Sequence, residues 1–115
     1  MKLLSGKHAS SMASVKRVVR TPAAKQDLLD IWGYYARVGS PDVADAILRE
    51  LDLAVKGIPI NTLLSRDRSE LMAGLRSVLV RPHIVFFLVS NEEIRIMRIL
   101  HGRRDFPAIL SLEEH

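Results

Sequence analysis

Apolar side chains recur at two different spacings along the chain, and the spacing separates helical from extended segments. Between Thr21 and Gly39, and again between Ser40 and Ile58, apolar residues return every three or four positions, which predicts two amphipathic helices. Each begins with a hydroxyl N-cap followed by proline, in Thr21-Pro22 and Ser40-Pro41. We expect Gly57 and Pro59 to end the second helix. Because the connection is very short, the two helices should form an antiparallel hairpin.

Four other segments have the composition of strands, rich in β-branched and aromatic residues. The first precedes the hairpin, and the other three follow an irregular stretch at 59–74, with turns at 81–83 and 90–92 between them. The predicted strands are Val15–Arg20, Leu75–Val80, Ile84–Val89 and Glu93–Leu100. The predicted order is β-α-α-β-β-β, an α+β fold in which the hairpin packs on a small sheet containing an antiparallel meander. The domain is expected to span residues 15–110, between a flexible leader or appended segment at 1–14 and a tail at 111–115, with Met12 as a possible second start.

The third of these strands is apolar at every position from Ile84 to Val89. An antiparallel strand with one wet face should alternate, so the centre of this sheet needs cover on both faces. The helical hairpin can cover one face. The leader, the C-terminal segment or a partner chain must cover the other. The last predicted strand also has apolar residues on both faces, with Ile94 and Ile96 expected on one face and Met97 and Ile99 on the other.

Charge distribution points to a negatively charged partner. The net charge is +4, and the second half of the chain carries eight arginines between Arg66 and Arg104 but no lysine. Guanidinium groups suit carboxylates and phosphates, although a merely basic surface is the simpler alternative. Residues 21–57 carry four basic and six acidic side chains, which disfavours a DNA-reading helix and direct sequence-specific DNA binding.

Composition also excludes several kinds of site. With no cysteine there is no disulfide framework or thiol nucleophile, which fits a cytoplasmic protein. No apolar run approaches the ~20 residues of a membrane span. His8, His83 and His115 lack metal-ligand spacing, and we expect neither a metal nor another cofactor.

Several motifs, in this order, resemble the ParE toxins of bacterial toxin–antitoxin pairs over roughly residues 16–110. The closing Leu-His-Gly-Arg-Arg-Asp at 100–105 is the most specific, and the others are Thr21–Leu28 with Ile31, Trp32 and Tyr35, Leu75–Ser77, and Ile84–Phe87. The resemblance implies a helical hairpin on a mostly antiparallel sheet, and a ParD-like antitoxin that forms a hetero-oligomer with the toxin. It also implies growth inhibition by binding DNA gyrase. Relatives of the RelE branch share the fold but cut messenger RNA on the ribosome, so the fold alone does not choose between the two.

A ribonuclease would need cations and a proton donor or acceptor. Arg76, Arg81, Arg98 and His101 are the candidates, but both tyrosines lie on the first helix and no lysine follows Lys56. We therefore favour a binding inhibitor over an enzyme, with a non-toxic binding module as a further alternative. For His101 we favour a structural role at the strand end.

The expected partner-binding residues combine the arginines with two aromatic residues on the first helix. They are Trp32, Tyr35, Arg76, Arg81, Arg98, Arg103 and Arg104. Packing in the core is the simpler interpretation of Trp32 and Tyr35, and pairing with Asp105 is an equal alternative for the last two arginines.

Overall fold

A computed structural model describes residues 16–113. The predicted leader at 1–14, the alternative start at Met12, the predicted strand start at Val15 and the final two residues lie outside the described part. The elements follow the order β1 Arg17–Arg20, α1 Pro22–Val38, α2 Pro41–Asn61, a 3-10 turn Thr62–Leu64, β2 Arg66–Asp67, β3 Arg76–Val80, β4 His83–Val89, β5 Glu93–His101 and α3 Phe106–Glu113. The predicted α+β class and element order are confirmed. The short β2 and the helix α3 are additional.

The five strands form one sheet in the order β1-β5-β4-β3-β2. The β3–β4–β5 meander is antiparallel as expected, whereas β1 pairs with β5 in parallel, from Arg17 opposite Glu93 to Arg20 opposite Ile96. Between β1 and β5 the chain forms the helical hairpin, the 3-10 turn and strands β2 to β4. The hairpin packs across one face of the sheet.

Local sequence explains where both long helices begin. Thr21 Oγ1 accepts a hydrogen bond from the Ala24 N–H at 3.0 Å, and Ser40 Oγ accepts from the Val43 N–H at 3.2 Å. Each cap satisfies one of the backbone donors that a helix start leaves open.

The end expected for α2 at Gly57 and Pro59 is wrong, because the helix continues to Asn61 with Pro59 inside it. Ile58 is buried in the core between the hairpin and the sheet. Its packing holds the last turn against the sheet in spite of the proline.

The two faces of the sheet carry separate cores. The hairpin-side core contains Ala24, Leu51, Val55, Ile58, Val85, Phe87, Ile94, Ile96 and Ile99. On the opposite face, Leu75, Phe86, Met97, Leu100 and Leu110 form a second core, against which Leu71, Met72, Phe106 and Ile109 pack. Cover on the second face therefore comes from α3 and from the loop before β3.

The second core shows which segment covers the face of β4 that the hairpin leaves open. Both faces of β4 are indeed covered, and the C-terminal segment supplies the second cover, with Leu110 fully buried. The apolar strand by itself thus gives no reason to require a partner chain. Any case for a partner has to come from other surfaces.

The expected facing of β5 is wrong at Ile99. The β4–β5 register pairs Phe86 with Arg98 and Phe87 with Ile96, so Met97 is an extra residue in a bulge. A bulge resets the alternation of side chains. Ile99 consequently joins Ile94 and Ile96 on the hairpin side, while Met97 lies in the opposite core.

Candidate functional site

Arg98, expected on a partner-binding surface, is bound inside the molecule. Its Nε and Nη2 atoms donate to the two carboxylate oxygens of Asp27 at 2.7 Å each, and Asp27 is only 7% exposed. The same carboxylate accepts the backbone N–H of Ile99 at 2.9 Å. Because β1 ends opposite Ile96, Asp27 takes over the role of a strand partner at this edge. The pair therefore fastens α1 to β5.

Arg76 is also held within the fold. Its guanidinium donates to the hydroxyl and the carbonyl of Ser65, the latter at 2.7 Å, which ties the start of β3 to the segment after α2. Arg76 begins β3 and Arg81 follows its end, so the two are separated by roughly 15 Å of strand. The four residues considered for a ribonuclease are therefore not gathered at one point.

Arg81, Arg103 and Arg104 are exposed at one end of the sheet, which we call the basic end. The Gly102 N–H donates to the Pro82 carbonyl at 2.9 Å, so the β3–β4 turn and the chain after β5 lie side by side. Within residues 16–113 neither Arg103 nor Arg104 forms an ion pair with Asp105. That carboxylate instead accepts the Ala108 N–H at 3.2 Å, at the start of α3.

Trp32 is less buried than core packing would require. It is 36% exposed, and its Nε1 donates to Asp45 Oδ1 at 2.8 Å, joining the two helices at their surface. Tyr35 is half-buried, in edge contact with Tyr34 at 5.1 Å and with His83 at 5.9 Å between ring centroids. Trp32 thus remains available to a partner.

His101 stands at the end of β5, where its Nδ1 accepts the Arg103 N–H at 3.2 Å. This hydrogen bond is of the structural kind expected for a residue that positions the following turn. His101 also lies directly across the ladder from His83, with 6.0 Å between ring centroids.

His83 is a feature that the sequence did not single out, because it stands in a turn-like Arg-Pro-His segment. It is 4% exposed. Burial lowers the pKa of its imidazole, the nearby His101 lowers it further, and Glu50 acts in the opposite direction. His83 is therefore held neutral at neutral pH.

The lowered pKa of His83 predicts a stability change below about pH 6.5, the ordinary histidine pKa. In that range the unfolded chain binds a proton that the folded chain resists, so stability is complete above it and falls as the pH drops toward the folded pKa. We expect the urea midpoint of the wild type to fall more between about pH 7.5 and about pH 5.5 than that of His83→Gln. An equal fall of the urea midpoint in the wild type and in His83→Gln would contradict this prediction.

Arg68 is a second residue that the sequence did not single out. Its guanidinium lies over the rings of Phe86 and Phe106, at 5.4 and 5.7 Å from their centroids, and its Nε donates to Glu70 at 3.0 Å. These contacts connect the loop before β3 with α3. Arg68 therefore stabilises the second core and is not a candidate for binding an external partner.

An exposed apolar patch lies between the end of α2 and β3. It consists of Leu53, Ile60, Leu64 and Leu79, and Leu64 is 81% exposed. Beside it is a groove of about 340 Å³ that Leu53, Leu64 and Leu79 help to line. Since β2 pairs only with Arg76 and Ser77, the outer edge of β3 from Val78 to Val80 has no partner strand within residues 16–113. Such a combination of patch and open edge is typical of a protein-binding surface.

Two other kinds of site are absent from the described part of the chain. No group of three or more histidine, aspartate or glutamate side chains there could hold a metal ion. Among the same residues, no helix is both long and apolar enough to cross a membrane.

The family model described as the ParE toxin of the type II toxin–antitoxin system parDE matches residues 18–106. The chain belongs to the ParE toxin family. It is 33% identical over 94 residues to Toxin ParE3 of Caulobacter vibrioides, an alignment that spans 82% of this chain and 94% of that toxin. It is also 35% identical over 91 residues to Toxin ParE1 of Mycobacterium tuberculosis, spanning 77% and 92%.

A solved structure shares the fold of this ParE family member. One chain of the chromosomal ParDE TA system from P. aeruginosa superposes with a TM-score of 0.68 at 23% identity, covering 76% of this chain and 97% of that one. The similarity to the ParE family expected from the sequence is thereby confirmed in both sequence and fold.

Proposed function

We propose that this ParE family member inhibits growth by binding DNA gyrase, and that a ParD-like antitoxin neutralises it in the cytoplasm by forming a hetero-oligomer with it. The observation that carries the proposal is the family match over residues 18–106. The solved relative comes from a ParDE system, which supports an antitoxin as the partner. Binding rather than catalysis is favoured because Arg76 and Arg98 already have partners inside the fold.

Two surfaces are offered for these interactions. The patch of Leu53, Ile60, Leu64 and Leu79 beside the open edge of β3 suits an amphipathic segment of an antitoxin. The basic end, which Tyr35 borders at the cavity lined by Arg104, suits acidic groups. Trp32, on the same helix as Tyr35, is a further exposed aromatic anchor. Arg98 and Arg76 contribute to partner binding indirectly, because their hydrogen bonds to Asp27 and Ser65 stabilise the fold. Charge reversal at Arg98 would therefore disturb Asp27 as well as any partner, and Arg81, Arg103 and Arg104 are the better positions to test.

A supercoiling assay tests the proposal. The purified chain is expected to inhibit gyrase or to stabilise its cleaved DNA, and a ParD-like antitoxin should relieve the effect. Leu64→Glu should weaken antitoxin binding by about tenfold or more, whereas Leu29→Glu, at an exposed leucine on α1, should change it less than about twofold. Both affinities can be measured by titration calorimetry.

Three outcomes would contradict the proposal. One is unchanged supercoiling at a toxin concentration that arrests growth. Another is cleavage of ribosome-bound messenger RNA, which would place the chain with the RelE-type ribonucleases. The third is normal growth on expression without antitoxin, as expected for a non-toxic binding module.

A further inference from the structure

A cavity of about 520 Å³ lies between α1 and the end of the sheet where β4 begins and β5 finishes. Its size falls within the range of about 300–1,000 Å³ found for small-molecule sites. Ile31 and Val38 contribute apolar surface from α1, and His83 and His101 line it from the sheet. This cavity is separate from the apolar patch on α2 and β3.

His83 is the unusual member of the lining. It is 4% exposed, yet within residues 16–113 its side chain makes no hydrogen bond and has only ring contacts, to Tyr35 and His101. Its ring nitrogens are not among the fully buried atoms without a partner in the described part of the chain, so they keep access to solvent at the cavity. The cavity that His83 borders is where a hydrogen-bond partner can be supplied.

The other polar groups at the cavity favour an anion with a flat ring. Arg104 lines it and forms no ion pair among the described residues. The Nδ1 atom of His101 accepts the Arg103 N–H, so the neutral ring carries its proton on Nε2 and can donate there. Tyr34 and Tyr35 supply aromatic surface, on which a planar ring can stack.

Two carboxylates also line the cavity, and neither rules out an anion. The charge of Asp27 is matched by the two hydrogen bonds from Arg98. Asp30 keeps its charge, because the Gln26 amide that donates to it at 2.9 Å is neutral, but it is exposed and solvent screens that charge. Arg104 and His101 therefore provide the donors available to a ligand.

We propose that this cavity binds a nucleoside monophosphate, either free or as the phosphorylated 5′ end of a strand. The base lies against the tyrosines and reaches His83, which exchanges a hydrogen bond with its edge. The phosphate accepts hydrogen bonds from Arg104 and His101. The site is separate from the apolar patch on α2 and β3 but shares Arg104 and Tyr35 with the surface at the basic end, and it does not depend on gyrase being the target.

The test titrates the full chain with AMP, adenosine, inorganic phosphate and a 5′-phosphorylated dinucleotide, following the imidazole signals of His83 and His101 by NMR. AMP is expected to shift both rings with a dissociation constant on the order of 0.1–1 mM. It should bind about tenfold more tightly than phosphate or adenosine alone, because only AMP offers both stacking and charge. Tighter binding of the dinucleotide than of AMP would identify a strand end as the ligand, and the reverse would identify the free nucleotide.

Adjacent arginines provide the control. Arg104→Ala should weaken AMP binding by about tenfold, whereas Arg103→Ala, which removes the same charge from a residue outside the cavity lining, should change it less than about twofold. Both residues are exposed, so neither variant endangers the fold. Equal losses in the two variants, equal binding of AMP and phosphate, or unmoved histidine signals would each overturn the proposal.

Discussion

Replacing Asp27 by alanine is expected to lower the free energy of unfolding of the isolated chain by about 3–5 kcal/mol. The substitution leaves the Arg98 guanidinium, whose side chain is 16% exposed, without the carboxylate that binds it through two hydrogen bonds. It also removes the acceptor of the Ile99 N–H at a sheet edge that β1 does not reach. Urea denaturation followed by circular dichroism measures the change.

Asp30, one turn further along α1, provides the matched control. It is exposed and its hydrogen bond is to Gln26 on its own helix, so Asp30→Ala should change the free energy of unfolding by less than about 0.5 kcal/mol. A loss for Asp27→Ala as small as that for Asp30→Ala would show that the buried ion pair does not hold α1 to the sheet.

The second large effect is expected at Leu110. This side chain is fully buried against Phe86, Met97 and Leu100 on the face of the sheet opposite the hairpin. Leu110→Ala should cost about 2–5 kcal/mol of unfolding free energy, as truncation of a buried leucine usually does. Leu64→Ala makes the same chemical change at an exposed position and should cost less than about 0.5 kcal/mol.

The comparison of these two leucines also tests whether α3 covers the second face in solution. If α3 is the cover, Leu110→Ala exposes apolar surface that the wild type hides, and the variant should bind a hydrophobic dye such as ANS more strongly. Equal stability and equal dye binding of the two variants would mean that the second core is not formed in the isolated chain.

Features set by neighbouring residues were predictable from the sequence. Thr21-Pro22 and Ser40-Pro41 mark the starts of both long helices, because a hydroxyl cap and a proline act within one turn. The three strands of the meander were found within one or two residues of their limits, since β-branched runs and turns are local signals.

Features set by distant residues could not be predicted in this way. Asp27 comes early in α1, and the partner that its carboxylate binds stands 71 positions later in the chain. The bulge at Met97 depends on register with β4, which no local pattern specifies. The helix α3 was not predicted, because it is short and is stabilised by packing on Phe86.

The arginines show the same limit. The eight arginines in the second half of the chain suggested a negatively charged partner, with five of them expected to bind it. The structure divides them: Arg98 pairs with a buried carboxylate, Arg76 binds a serine, Arg68 lies over two phenylalanine rings, and Arg103 and Arg104 remain exposed. A charge count indicates a partner of opposite charge but not which charges are already used inside the fold.

The parallel pairing of β1 with β5 has a consequence for the gene. β1 is the first strand to be synthesised, and its partner β5 is the last. At the usual translation rate of ~5–20 residues per second, several seconds pass between the synthesis of β1 and that of β5. A frameshift or stop codon before codon 101 therefore removes the ladder on which the N-terminal half depends. Cells escaping such a toxin should carry truncating lesions spread along the reading frame, rather than substitutions gathered at a few positions.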